Sequence, residues 1–183
     1  MRTSKKTDEQ ELIRRLKEPG EQRAAFSQLV QQFSEPLYWH IRHMTLSHEN
    51  SNDILQNTFV KAWTNIEKFR GDSQIMTWLY RIAINETLTF FDKHKPTIPI
   101  DSPEASAVEL LESDIYFNGD NADARFQAAI QSLPPKQRMV FTMRYYEDLK
   151  YEEMSEILGT SVGALKASYH LATKKIEDFL MEK

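Results

Sequence analysis

Gly163, Lys166, Ala167, His170 and Lys174 recur three and four residues apart near the C-terminus, which places all five on one face of a helix. Small side chains on such a face let the backbone come close to a surface, while Lys and His donate hydrogen bonds to acceptors on it. A DNA major groove admits a helix and presents acceptors, so it suits that combination. The opposite face carries Val162, Leu165, Tyr169, Ala172, Ile176 and Phe179, a stripe for burial. An ordinary helical hairpin with a solvated basic face would share this outline. The pairing of glycine and alanine with cations is what favours nucleic acid.

The elements that must hold this face are legible around it. Residues 151–158 read as a short helix, Gly159-Thr160 as a turn, and Ser161 as the N-cap of the second helix, its hydroxyl accepting an orphan backbone N–H. Upstream, "DARFQAAIQSL" and "PKQRMVFTMRYYED" read as two further helices separated at Pro134-Pro135. The N-terminal part is helical as well. A Thr7/Gln10 capping box opens a helix that stops at Gly20, and Phe26, Leu29, Val30 and Phe33 mark a second. Ser34 caps a third helix with Pro36 in its first turn. Ile54, Leu55, Phe59, Ala62, Trp63 and Ile66 mark a fourth, ending near Phe69 and Gly71, and residues 74–93 a fifth. Strand signals are nearly absent. The expected fold is all-α: two small helical domains, the second a helix-turn-helix.

Between them lies "KPTIPIDSPEASAVELLESDIYFNGDNAD", with Pro96, Pro99 and Pro103 and a turn-rich end. The net charge of −4 is concentrated there: residues 96–126 hold 1 Lys+Arg against 7 Asp+Glu. Residues 1–95 hold 14 against 12, and residues 127–183 hold 8 against 8. The flanks can therefore present positive faces although the whole is acidic. The division is 1–95 and 125–183, joined by an acidic linker over 96–124, which as a flexible coil has an end-to-end distance of roughly 30 Å. Ala105 to Leu111 can form a short helix within it.

Cysteine is absent, which excludes disulfides and thiolate metal sites and fits a reducing compartment. No apolar run is long enough to span a bilayer, and "MRTSKKTDEQ" lacks the apolar core of a signal peptide, so a cytoplasmic protein with no membrane insertion is expected. His40 and His43 stand one helical turn apart, but beyond His48 no third ligand sits at a fixed spacing, and no metal is expected. There is no glycine-rich phosphate loop and no nucleophile motif, hence no enzyme and no cofactor.

The stretch "FRGDSQIMTWLYRIAINETL" sets aromatic residues around a Gly-Asp-Ser break. Phe69, Met76, Trp78, Leu79 and Ile82 suit a core around a capped loop, and Leu79 and Ile82 share one helical face. In "DILQNTFVKAWTNI", Ile54, Phe59, Trp63 and Ile66 form a buried stripe and leave Asp53, Gln56, Asn57, Val60 and Lys61 nearer the surface.

"LPPKQRMVFTMRYYEDLKYEEMSEILGTSVGALKASYHLATKKI" resembles region four of bacterial RNA polymerase sigma factors, and "NDILQNTFVKAWTNIEKFRGDSQIMTWLYRIAINETL" resembles region two. The lack of other regions and the short linker resemble the extracytoplasmic-function type. The resemblance implies a factor that binds core RNA polymerase, directs it to promoters and helps open the DNA, with an anti-sigma protein as a further partner. It implies that Asp53, Ile54, Gln56, Asn57, Val60, Lys61 and Trp63 bind the polymerase core. Arg70, Gly71, Asp72, Ser73, Gln74, Trp78, Arg81 and Asn85 would engage the minus-ten element and a base flipped from the melted non-template strand. Ser161, Gly163, Ala164, Lys166, Ala167, His170 and Lys174 would read the duplex at the minus-thirty-five element. The chain departs from the family pattern at Ser168, Leu171 and Thr173, where arginines are common, and its basic tail is reduced to Lys93, His94 and Lys95. A helix-turn-helix regulator that dimerises through its N-terminal half is the alternative; it would footprint duplex DNA alone, without polymerase.

Overall fold

Gly20, at φ +96°, ends the first helix of the N-terminal half, Ser47 caps the helix that follows it, and Gly71, at φ +79°, lies in the turn before the last helix of that half. The computed structural model describes residues 2–45, 47–71, 73–93 and 121–181. Among them every regular element is a helix: α1 (Arg2–Lys17), α2 (Gln22–Thr45), α3 (His48–Asn65), a 3-10 turn (Ile66–Lys68), α4 (Ile75–Lys93), α5 (Asn121–Ser132), α6 (Pro135–Tyr145), α7 (Tyr151–Leu158) and α8 (Val162–Met181).

Three expected boundaries differ. The backbone is already helical from Arg2, so Thr7 lies inside α1 and opens nothing. No breaker precedes it, and Arg14, Arg15 and Lys17 favour the C-terminal end through the helix dipole. The two helices expected around Ser34 are one, α2, with Pro36 inside it. Proline leaves the Gln32 carbonyl without its usual donor, but Leu29, Leu37 and Ile41 are fully buried on one continuous face, and that packing carries the helix through. Ser34 donates its hydroxyl back to the Val30 carbonyl instead of capping a new helix. Of the expected linker, residues 121–124 belong to α5, where Asp123 sits favourably in the first turn. Residues 96–120, with the short helix expected there, lie outside the described residues.

Leu12, Leu16, Leu29, Leu37, Ile41, Ile54, Leu79 and Ala83 form the centre of the first half. Glu9 reaches from α1 to accept the backbone N–H of Ile75 at 2.5 Å, placing a carboxylate at the N-terminus of α4. In the second half Ile130, Leu133, Phe141, Ala172 and Ile176 pack between α5, α6 and α8. The first core runs on across the two halves, through Ile84 to Met139, Val140, Ile157 and Leu165.

Polar groups close this seam. His40 Nδ1 pairs with Glu147 Oε1, and the His40 ring meets Tyr80 edge-on at 4.9 Å. The His43 ring stacks on Tyr146 with centroids 3.8 Å apart. Arg138, from α6, donates to Met44 O at 3.0 Å and Leu133 O at 3.1 Å, so it holds the C-terminal ends of α2 and α5 together. Its guanidinium also lies 5.3 Å from the Phe91 ring centroid on α4. Burial lowers its pKa to about 10, still charged at neutral pH. The three histidines weighed as metal ligands diverge: His40 to Glu147, His43 to Tyr146, and His48 to the Tyr38 hydroxyl at 2.7 Å.

Burial pushes His43 down to about 4, with Glu147 opposing and His40 and Arg42 adding to the shift. The unfolded chain takes up that proton near 6.5 and the folded chain only near 4. The stability His43 supplies is therefore complete above about 6.5 and is lost as pH falls from there to about 4. His43→Phe keeps the stack without titrating, so urea denaturation should show it losing less stability than the parent across that window. Parallel losses would mean that His43 is solvated in the folded protein.

Candidate nucleic-acid interface

In the helix-turn-helix, Gly159 ends α7 at φ +63°, a left-handed backbone that favours glycine, and its N–H donates to Ser155 O at 2.9 Å. Ser161 Oγ accepts Ala164 N–H at 3.3 Å, fixing where α8 begins. Leu165, Ala172 and Ile176 are buried, whereas Val162, Tyr169 and Phe179 are half-buried, so the inner stripe is wetter at its margins than the spacing predicts. Ser161, Gly163, Ala164, Lys166, Ala167, His170 and Lys174 are all exposed. Lys166 Nζ lies 5.6 Å from the Tyr151 ring centroid, a cation–π contact that holds the ammonium at the start of this face. Of the three departures from arginine, Leu171 is 49% exposed, Ser168 lines a cavity, and Thr173 gives its hydroxyl to Tyr169 O.

In the loop before α4, Gly71 sits at φ +79° and Arg70 and Gln74 are exposed, with Ser73 half-buried. Asp72 lies outside the described residues. Phe69 is core at 5% exposure, and Trp78 packs on it at 5.0 Å with the rings tilted by 35°. The other flank of Trp78 borders a hollow of about 320 Å³, lined also by Lys61, Asn65, Lys68, Ile82, Asn85 and Glu86. Ile82, expected wholly in the core, is at the rim of this hollow. Asn65 and Lys68 lie where α3 passes into the 3-10 turn Ile66–Lys68, and there no helical periodicity marks a face in the sequence. Lys68 donates to Asn65 Oδ1 at 3.1 Å, and Lys61 pairs with Glu86. Aromatic wall, amides and ammonium groups thus meet at one opening, a set able to stack a base and hydrogen-bond its edge.

On α3, Asp53, Gln56, Asn57 and Val60 form an exposed strip, with Val60 57% exposed. Ile54 is a correction: at 2% exposure it belongs to the core and supports the strip from beneath. Trp63, placed by spacing in the buried stripe, is 38% exposed and meets Phe26 edge-on at 4.9 Å. The wide indole cannot fit whole beneath a single helix, and its free edge extends the strip.

Arg81 and Asn85 also border a larger cavity of about 710 Å³ between α4, α6, α7 and α8. Arg81 donates from Nε to Glu156 O at 2.9 Å and again from Nη2, satisfying an orphan carbonyl at the end of α7. Ala164 and Ser168 of α8 line the same space.

Residues 29–97 match the family Sigma-70 region 2, and residues 123–176 match Sigma-70, region 4. The ECF RNA polymerase sigma factor SigW of Bacillus subtilis is 31% identical over 156 residues, 80% of this chain and 83% of that protein. Among solved structures, CnrH in complex with the cytosolic domain of CnrY shares the fold with a TM-score of 0.68, 24% identity, 94% of this chain and 96% of that one. The sigma factor RpoE of Bartonella quintana, in complex with the anti-sigma factor NepR, aligns with a TM-score of 0.64 and 20% identity over 86% of this chain and 98% of that one. This chain belongs to the extracytoplasmic-function group of the sigma-70 family: it binds core RNA polymerase, directs it to promoters and helps open the DNA for transcription to begin.

Proposed function

We propose that three surfaces divide this work. The strip Asp53, Gln56, Asn57, Val60, Lys61 and Trp63 docks on the polymerase core, with residues 1–95 as the unit that also melts the minus-ten element. The hollow beside Trp78 receives the flipped non-template base. Asn65, Lys68 and Asn85 address its edge, and Arg70 and Arg81 hold phosphates, with Gly71, Ser73 and Gln74 shaping the approach. Residues 125–183 form the second unit, whose α8 face reads the minus-thirty-five duplex. The observation that carries this reading is the clean division of α8, with every predicted contact residue exposed and Leu165, Ala172 and Ile176 buried beneath. The factor acts without catalysis or a cofactor of its own, in the cytoplasm, and an anti-sigma protein regulates it; the complexes of CnrH and RpoE support that last point.

Run-off transcription with purified core polymerase on genomic fragments tests the reading. The parent should yield discrete transcripts, and Asp53→Lys should remove them by weakening holoenzyme assembly while helicity stays intact. Absence of any stimulated transcript from the parent would refute it.

For the second unit, Lys166→Ala and Lys174→Ala should each lower the log–log salt slope of minus-thirty-five binding by about one, the mark of one phosphate no longer neutralised. Unchanged affinity in both would turn this face away from DNA.

For the hollow, Asn65→Ala with Asn85→Ala should spare holoenzyme assembly and closed-complex binding, because a stacked base cannot reach a pocket. Permanganate reactivity of unpaired thymines at the minus-ten element should fall about tenfold, as expected when two hydrogen bonds to the base edge worth roughly 0.5–1.5 kcal/mol each are lost. A template with mismatches already opened there should recover the part due to unpairing and not the part due to recognition. Parental reactivity would leave the hollow without a base.

A further inference from the structure

Among the described residues that line the hollow beside Trp78, Glu86 alone is acidic. Its side chain is 11% exposed, whereas that of its partner Lys61 is 55% exposed. A carboxylate so far withdrawn from water loses hydration that one half-exposed ammonium restores only in part. Lys61 engages Oε1, and Oε2 has no hydrogen-bond partner among the described residues. Asn85 accepts the Thr89 hydroxyl through its backbone carbonyl, and its side-chain amide, too, has no partner among the described residues.

The two helices fix where on the hollow each group stands. Through the turn that joins them, α3 and α4 run antiparallel, so that Lys61 meets Glu86 at one end and Phe69 meets Trp78 at the other. From Trp78 to Glu86 the helix rises roughly 12 Å. Lys68, which donates to Asn65 Oδ1 at 3.1 Å, stands nearer the Trp78 end. A base stacked on Trp78 therefore turns one end of its hydrogen-bonding edge towards Glu86, with amide and ammonium groups along the rest.

A free carboxylate oxygen accepts hydrogens and repels oxygens. Thymine carries a carbonyl at each end of that edge, so either orientation brings oxygen to oxygen. Guanine presents two adjacent donors, but Lys61 occupies Oε1 and one carboxylate oxygen is left. Adenine offers its amino group and one acceptor, then a C–H facing a donor. Cytosine offers its amino group at one end and two acceptors beside it, which the donors of Asn85, Lys61 and Lys68 can meet.

We propose that Glu86 is a specificity-determining residue, which makes the hollow select cytosine over thymine as the flipped base by accepting the cytosine amino group at Oε2. The proposal rests on the reading of the hollow as the base pocket. It adds the identity of the base and a residue that reads it.

The test uses holoenzyme on forked DNA, with a duplex minus-thirty-five element and a single-stranded non-template minus-ten segment. An abasic nucleotide scanned through that segment marks the captured position as the one where binding falls most, and Trp78→Ala should abolish that sensitivity. At this position the parent should bind cytosine about tenfold more tightly than thymine, the size of one good edge contact, with adenine between them. Deoxyuridine, which has the thymine edge without the methyl group, should bind as poorly as thymine. Glu86→Gln should bring the ratio of cytosine to thymine close to one, because a carboxamide can also donate to a thymine carbonyl. Glu86→Ala, which removes the acceptor and adds no donor, should level it as well and serves should the first variant fail to fold. The ratio is taken within one variant, so any change in core assembly cancels. A sensitive position at which the parent binds thymine as well as cytosine, or a ratio that both variants leave unmoved, would overturn the role of Glu86 alone. No position sensitive to base loss would empty the hollow, and the pocket reading would fall with this proposal.

Discussion

The buried guanidinium of Arg138 is the constraint on which the rest of the arrangement depends. A cation taken out of water must be surrounded by acceptors or it destabilises the fold by several kcal/mol. Arg138 finds them where helices end: Met44 O on α2 and Gln131 O and Leu133 O at the end of α5. Those are carbonyls that no intrahelical N–H satisfies, at the negative ends of two helix dipoles. The Phe91 ring on α4 covers the remaining face. One side chain therefore fixes the end of α2 against α5 and α6. With that end fixed, His40 meets Glu147 and His43 meets Tyr146. The same docking turns α4 towards α7, where Arg81 reaches Glu156 O.

From that geometry follows a difference between the functional surfaces. Asp53, Gln56, Asn57 and Val60 on α3 and Gly163, Lys166, Ala167, His170 and Lys174 on α8 are exposed, whereas Ala164 of α8 also lines the cavity facing α4. Helix α4 is shared, because Asn85 borders both the hollow beside Trp78 and the cavity facing α8.

Much of the fold was legible because it rests on local signals. Gly159 and Ser161 carry the chemistry of a turn and a cap, and they mark the helix-turn-helix to the residue. The exposed face of α8 followed from 3.6-residue spacing alone. Local signals failed where packing overrode them, as at Pro36, which the buried face of α2 carries through. Spacing placed Ile54 correctly in the buried stripe but misjudged Trp63, since it gives the direction of a side chain but not the depth of the cover above it. The seam was not legible as such: His40 and His43 stand out in the sequence only as a pair one helical turn apart, and Glu147 lies 107 positions from His40 with no pattern joining them. Arg138 is hidden in the run "RMVFTM", where one cation among apolar residues reads as an exposed helix position.

Small-angle scattering from the free factor in dilute solution tests the central claim, that both halves form one body through the seam, most directly. A single body of 183 residues should have a radius of gyration of roughly 16 Å. A value of roughly 25 Å or more, with a scattering profile of two separate lobes, would contradict it.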